Sequence, residues 1–296
     1  MTGRLRIAVC TNRTPAAVTE SLQALARQAP PEALALVTSG LDADLVDAHR
    51  GAFEGALLAE PREGLSLARN RAVAWCEDGD ALAFVDDDAV VCEGWYEALS
   101  RAWREAGEEI ACIGGPIRPR WPDGGPPHWV SAPILPALTL LDLGGEARDL
   151  DPSVTTVYGA NVSFRVSALR RAGGFDPDFG HSGRRVFFSE EDEAQRALAR
   201  LGYRIRYEPG AAVEHVIPRE RLTRRSFLRR RFANGRALGV RRARPLSLAV
   251  RQAVTSGVGA IVAAATGRDA LLMERAVRSA ENLGVLYGST RPRRIA

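Results

Sequence analysis

Short apolar runs alternate along the chain with stretches of helical spacing, the mark of strands interleaved with helices. Residues 4–10 predict a strand that Thr11-Asn12-Arg13-Thr14-Pro15 interrupts. Thr14 is placed to cap a helix and Pro15 to open it, with Val18, Leu22, Leu25 and Ala26 as its apolar stripe. Residues 33–38 predict a second strand, closed by Ser39-Gly40. Strand, helix, strand is a βαβ opening, which predicts a mainly parallel sheet with its site at the C-terminal strand ends. Beyond Gly64, Ser66 is placed to cap a helix with Arg69 and Asn70 in its first turns. Residues 82–85 read as a buried strand, Glu93-Gly94-Trp95 as a helix start, and 110–115 as a fourth strand. Residues 116–150 are rich in Pro, Gly and Trp with weak periodicity, as in a functional or mobile loop.

Residues 155–158 and 162–165 then predict a strand returning to the site, and Ser167 a cap for a short helix. Residues 179–185 have the character of a lid. Ser189 is spaced to cap a helix running to Leu201 and ended by Gly202. Tyr203, Ile205 and Tyr207 alternate with Arg204, Arg206 and Glu208, the pattern of a half-buried strand. A last strand, 211–216, carries Glu214-His215. After Pro218 the chain reads as helical, with helices over 246–265 and 269–287. This divides it into an α/β domain, 1–217, and a basic helical region, 218–296.

Composition narrows the chemistry. The 296 residues, 46% apolar and 26% charged, are those of a folded protein. All 40 basic residues are arginine, and the absence of lysine excludes a P-loop and a Schiff-base enzyme. Arginine and alanine richness suggests a GC-rich bacterial source. Cys10, Cys76, Cys92 and Cys112 form no CxxC pair and predict buried free thiols in a reducing cytoplasm. The first residues show no leader, and no run of about 18 apolar residues marks a confident membrane span. Residues 218–245 hold eleven arginines and the single acid Glu220, which implies an anionic partner. Arg224, Arg225 and Arg229 to Arg231 flank Phe227, Leu228 and Phe232, and 253–265 is apolar. The segment therefore reads either as an interfacial contact with a membrane surface or as a helical appendage with solvated arginines.

The strand at 82–85 runs straight into Asp86-Asp87-Asp88. In an extended chain Asp86 and Asp88 point the same way, roughly 7 Å apart, and Asp87 points away. Such a triplet suits a hard divalent cation such as Mg2+ or Mn2+, or forms a solvated acidic turn. Asp86-Asp-Asp88-Ala-Val90 also fits the motif of haloacid-dehalogenase-like phosphotransferases, with Asp86 as nucleophile. That motif normally lies near the N-terminus and is followed by a later lysine or arginine; here about 85 residues precede it and lysine is absent. Nucleic-acid binding through the 218–245 arginines is disfavoured by the few interleaved aromatics and the acidic site.

Cys10-Thr11-Asn12-Arg13, Leu65-Ser66-Leu67-Ala68-Arg69-Asn70, Asp86-Asp87-Asp88, Gly159-Ala160-Asn161, Gly173-Gly174-Phe175-Asp176 and Glu191-Asp192 follow in that order. Together they resemble the inverting family 2 glycosyltransferases of the GT-A fold, over about residues 4–235. The resemblance implies transfer of a sugar from a nucleotide-diphosphate donor to an acceptor hydroxyl on a saccharide, a lipid-linked molecule or a small molecule, with Mn2+ or Mg2+. It implies Asp192 as general base beside Glu191. Asp88, Asp86 and His215 would serve the metal. Thr11, Asn12, Arg13, Arg69, Asn70, Asp86 and Asp87 would serve the nucleotide, and Gly115, Asn161 and Trp121 the sugars. It further implies a cytoplasmic enzyme, peripheral at the inner face of the membrane. One departure stands out: the family commonly ends its second strand with an aspartate that reads the base, and Leu36-Val37-Thr38-Ser39-Gly40 has none.

Overall fold

The fold is that of a computed structural model, which describes residues 3–177, 181–182, 185–186, 190–240 and 245–290. The strands are β1 (Leu5–Thr11), β2 (Leu34–Ser39), β3 (Ala56–Glu60), β4 (Ala81–Asp86), β5 (Ala89–Val91), β6 (Ile110–Gly114), β7 (Ile117–Arg120), β8 (Arg148–Leu150), β9 (Asn161–Arg165), the hairpin β10 (His181–Ser182) and β11 (Arg185–Val186), β12 (Arg204–Tyr207) and β13 (Val213–Val216). The helices are α1 (Pro15–Ala26), α2 (Ala43–Arg50), α3 (Leu65–Trp75), α4 (Trp95–Glu105), α5 (Val166–Arg171), α6 (Glu190–Arg200), α7 (Arg224–Val240), α8 (Leu246–Ala265) and α9 (Asp269–Ser289). Two compact units result. The first comprises 1–119, 141–185 and 190–216, and the second 120–140, 186–189 and 217–296.

The first unit is an α/β fold on an eight-stranded sheet of order β3-β2-β1-β4-β9-β6-β12-β8. β3, β2, β1 and β4 run parallel, as do β6 and β12. β9 is wedged antiparallel between β4 and β6. The central strands are buried on both faces, hence their unbroken apolar runs. Phe84, Phe164 and Phe175 stack edge-on with centroids 5.4–6.4 Å apart. Each fully buried side chain of this kind stabilises the fold by about 1.5–3 kcal/mol. α4 buries Trp103, whose indole donates to Ser163 Oγ at 2.9 Å, and that hydroxyl donates to the Ile113 carbonyl at 2.7 Å. Cys76 and Cys112 are buried and Cys10 and Cys92 half-buried, all four free thiols.

Several local expectations fail. The sequence reading has no counterpart to α2, β3 or β5. Asp42, too late in sequence to read a base from β2, instead caps α2 by accepting from Leu45 N at 2.9 Å. Thr14 stands at its cap position without a side-chain bond, Gly64 rather than Ser66 precedes α3, and Arg165 rather than Ser167 precedes α5. Residues 155–158 form no strand. The Ser189 cap, and the lid apart from β10 and β11, lie outside the described residues.

In the second unit, α7 and α9 press backbone to backbone. A Cβ at Gly235 would lie 1.9 Å from the Glu281 carbonyl, and one at Gly239 2.1 Å from that of Val285. On α9, Gly284 and Gly288 meet the Phe232 and Arg236 carbonyls at 2.2 Å in the same sense. Each helix thus carries two glycines four apart on the contact face, where no larger residue fits. Phe227 is fully buried with its ring 5.1 Å from Trp129, and Phe232 stacks 5.8 Å from Tyr287. Arg231 pairs with Glu281, and Arg230 donates to the Ala137 carbonyl at 2.8 Å. Phe227 therefore faces inward, which removes it from an interfacial surface, whereas Phe232 is half-buried beside the exposed Tyr287.

Candidate active site

The first unit gathers its acids at the C-terminal ends of the parallel strands. β4 ends at Asp86, and Asp87-Asp88 turns into β5. Because the chain turns rather than staying extended, Asp86 and Asp88 do not share a set of partners. Asp86 Oδ1 lies 3.6 Å from Arg69 Nη2. Asp88 Oδ1 lies 3.3 Å from His215 Nε2, and Asp88 Oδ2 lies 3.5 Å from Arg13 Nη2. His215 reaches this point because β13 pairs antiparallel with β5, opposing His215 to Ala89. Asp87, expected to point away, is bound on both oxygens. Thr11 Oγ1 donates to Oδ2 at 2.6 Å, and Arg13 Nη1 lies 3.6 Å from Oδ1. Arg13 N donates back to Thr11 Oγ1 at 3.0 Å, which locks the β1 turn; Asn12 in that turn is exposed.

Asp88 and His215 suit a divalent cation that accepts oxygen and imidazole donors. As they stand, the two side chains form an ion pair at 3.3 Å. Among the described residues, no three acidic, histidine or cysteine side chains converge as a closed cage. Asp86 lies nearest Arg69, and both Asp88 and His215 act on its carboxyl.

Arg69 sits in the first turns of α3 yet is buried, with only 2% of its side chain exposed. Its Nη1 lies 2.7 Å from Glu190 Oε1 and 3.7 Å from Glu191 Oε2, and its Nη2 donates to the Gly159 carbonyl at 3.3 Å. The rings of Phe84 and Phe175 flank it at 5.4 and 5.6 Å. Burial opposes the charge, but Glu190, Glu191 and Asp86 more than offset it, and the guanidinium stays protonated. Arg69 is thus the clamp of a carboxylate cluster. Asn70 is likewise internal. Its Nδ2 donates to the Phe175 carbonyl at 2.7 Å, and Phe175 N donates to its Oδ1 at 2.9 Å.

The acids Glu190 to Asp192 occupy the first turn of α6, where the helix dipole favours negative charge. Burial still pushes the Glu190 carboxyl above its ordinary range, Arg69 opposing it. The Glu191 carboxyl is pushed to about 8, first by burial and then by Glu190 and Asp192. Glu191 Oε1 accepts from Gly159 N at 3.1 Å, and the Thr156 hydroxyl donates to Asp192 Oδ1. The 156–160 loop that makes these bonds is held by Gln195, absent from the sequence reading. Its amide pairs with Val157, accepting from N at 3.0 Å and donating to O at 2.8 Å. Its only sequence signal is a polar residue on the inner face of an amphipathic helix. Gly159 is required here, since a Cβ would meet Arg69 Nη2 at 2.4 Å.

The residues expected to meet sugars separate. Asn161, 2% exposed, accepts from Trp95 Nε1 at 3.0 Å and donates to the Pro116 and Ala211 carbonyls at 3.1 and 2.7 Å. Its amide ties three chain segments together. Gly115 is the crossing point beside it, where a Cβ would lie 2.0 Å from the Ala211 carbonyl. Trp121 is half-buried in the second unit. At the end of β2, Ser39 Oγ accepts from Gly64 N at 3.0 Å, and Thr38 Oγ1 is buried without a partner.

A sequence profile of glycosyl transferase family 2 matches residues 7–173. The chain is 30% identical over 249 residues to the succinoglycan biosynthesis protein ExoM of Rhizobium meliloti, covering 79% of this chain and 73% of that one. It is 27% identical over 159 residues to the glucosyl-dolichyl phosphate glucuronosyltransferase of Haloferax volcanii, covering 53% of this chain and 49% of that one. Among solved structures, the mannosyltransferase PcManGT of Pyrobaculum calidifontis, in complex with GDP-Man and Mn2+, superposes with a TM-score of 0.62 at 16% identity, covering 96% of this chain and 87% of that one. GalNAc-T7 with UDP, GalNAc and Mn2+ superposes with a TM-score of 0.53 at 15% identity, covering 82% and 51%. These likenesses establish the GT-A fold.

Proposed function

Since the chain belongs to glycosyl transferase family 2 and is an enzyme of glycosyl transfer, we propose that it moves a sugar from a nucleotide-diphosphate donor to an acceptor hydroxyl with inversion, and that Asp192 is the general base. Family membership disposes of the haloacid-dehalogenase reading, and Asp86, held by Arg69, is not presented as a free nucleophile. The observation that carries the proposal is the pairing of Asp88 with His215 at 3.3 Å, at the strand ends where α/β sheets bind ligands. Both solved neighbours were captured with a nucleotide and Mn2+, which supports the same use of this pair.

When bound, a divalent cation neutralises the charge that gathers on the departing diphosphate. The chain's own groups do the rest. Thr11, Asn12 and Arg13 present donors at the end of β1, ahead of the α1 N-terminus, where an anionic nucleotide is favoured. Asp87 fixes Thr11 and Arg13 in place. The Thr156 hydroxyl on Asp192 Oδ1 orients that carboxylate, which leaves Oδ2 to accept the acceptor proton. Arg69 holds Glu190 and Glu191 behind it, so that the start of α6 keeps its position.

The test is a donor screen: UDP-, GDP- and dTDP-sugars with Mn2+ or Mg2+, following nucleoside diphosphate release. Asp88→Ala abolishes cation-dependent nucleotide binding. Asp192→Asn keeps binding and loses transfer. Full activity in Asp192→Asn removes it as base. No release from any donor, together with no thermal shift with any nucleoside diphosphate and cation, overturns the proposal.

A further inference from the structure

α8 is apolar on two opposite faces. Its inner face, Ala249, Ala253, Ser256 and Ala263, is buried in the second unit, where Ser279 Oγ of α9 donates to the Ala253 carbonyl at 3.1 Å. Its outer face carries Leu246, Val250, Val254, Val258, Ile261 and Val262, each between 48% and 72% exposed. They spread over roughly 160° of the helix, centred about 140° from the buried face, with the exposed Ser247 and Arg251 among them. A soluble helix turns polar residues outward; this one turns branched aliphatics. Exposed stripes of this size mark an interaction surface.

We propose that the outer face of α8 docks on an anionic lipid bilayer, with the helix lying flat in the interface. The charge of the surrounding unit selects this occupant. Residues 217–296 hold 18 arginines against 4 acids, and Arg251 and Arg268, on and just beyond α8, are exposed. A second copy of the chain would bring like charge against like charge. Nucleic acid would match the charge but not the aliphatic stripe. A bilayer with anionic headgroups matches both, the stripe entering the acyl boundary and the arginines staying among the phosphates.

By length and composition α8 is also able to cross a membrane. Its inner face, however, is committed to α9: a Cβ at Gly259 would meet Arg275 Cδ at 3.2 Å, and α9 also carries Glu274, Arg278 and Glu281. Crossing would strip the helix from α9 or draw those charges into hydrocarbon, which is costly. Lying flat uses the outer stripe and keeps the packing. This inference stands independently of the sugar-transfer reading.

The test uses the full chain in flotation with two kinds of vesicle, phosphatidylcholine alone and phosphatidylcholine with phosphatidylglycerol. The chain is expected to float with the anionic vesicles and to be released by raised salt. Val254→Asp combined with Val258→Asp is expected to weaken flotation about a hundredfold, since each valine withheld from lipid is worth about a factor of ten. Both side chains are mostly exposed, so circular dichroism and the thermal midpoint should be unchanged. No flotation, equal flotation with neutral vesicles, or undiminished flotation of the folded double variant overturns the proposal. So does a dimer in light scattering that the double variant disperses, which would assign the stripe to a second copy.

Discussion

Replacing Arg69 with methionine removes the cation that pairs with Glu190, Glu191 and Asp86. The guanidinium is 2% exposed and Glu190, its 2.7 Å partner, is 3% exposed, so water replaces neither charge. Breaking one side of a buried pair costs about 3–5 kcal/mol because the remaining charge is left uncompensated. At about 2–4 °C per kcal/mol for a body of this size, the thermal midpoint of the first unit should fall by about 6–20 °C at neutral pH. The loss should shrink in acid, where Glu190 accepts a proton and no longer needs a cation; Glu191, at about 8, already holds one at neutral pH. The double variant Arg69→Met with Glu190→Met replaces both charges with apolar atoms and should recover much of the midpoint. The assay is a thermal melt by near-ultraviolet circular dichroism at pH 5, 7 and 8.5 for wild type, both single variants and the double. An Arg69→Met melt that coincides with wild type at every pH, or a double variant as unstable as Arg69→Met alone, would refute the view of this pair as a mutually compensating buried unit.

Other outcomes follow from the same geometry. Asn161→Leu should lower stability by roughly 3–5 kcal/mol, since one buried indole donor and two carbonyls lose their partner; donor KM of the surviving folded enzyme should stay near wild type, whereas a raised KM would restore the sugar-contact role. Glu191, with its folded carboxyl at about 8 against an ordinary 4.5, gives a stability contribution present in full below about pH 4.5 and lost as pH rises towards 8. Glu191→Gln should flatten that decline in a melt-versus-pH series, and an unchanged slope would count against the assignment. Gly239→Leu should force α7 off the Val285 carbonyl and lower the melting midpoint of the second unit; an unaltered melt would contradict the close approach.

The fold was legible wherever burial alone decides structure. β4 reads from its apolar run, β12 from strict alternation, and α8 from its length, because tertiary packing reinforces the local pattern there. α2 and β3 escaped because Asp44 to Arg50 mixes charge with few apolar residues, and Ala56–Glu60 is a half-buried edge strand whose residues suit a helix equally well. Residues 155–158 have strand composition, but the amide of Gln195 takes the backbone bonds of Val157 that a neighbouring strand would otherwise take. Asp88 and His215 were legible as candidates through the order of motifs. Arg69 and Asn161 were legible as important but not as internal. Their partners, Glu190 and Trp95, come from other elements, and no spacing rule announces that a polar residue near a strand end will be sealed in by them.

The antiparallel entry of β13 beside β5 has a consequence for the order in which the protein is made. Asp88 leaves the ribosome early, within the first sheet strands, but its imidazole partner belongs to the last strand of the first unit. The Arg69 clamp likewise waits for Glu190, 121 residues downstream. Such distant closures are slow relative to local helices. A growing chain therefore carries an acidic, incomplete site through most of its synthesis, and the centre assembles in one late step. Any chain stopped short of residue 215 should be catalytically silent.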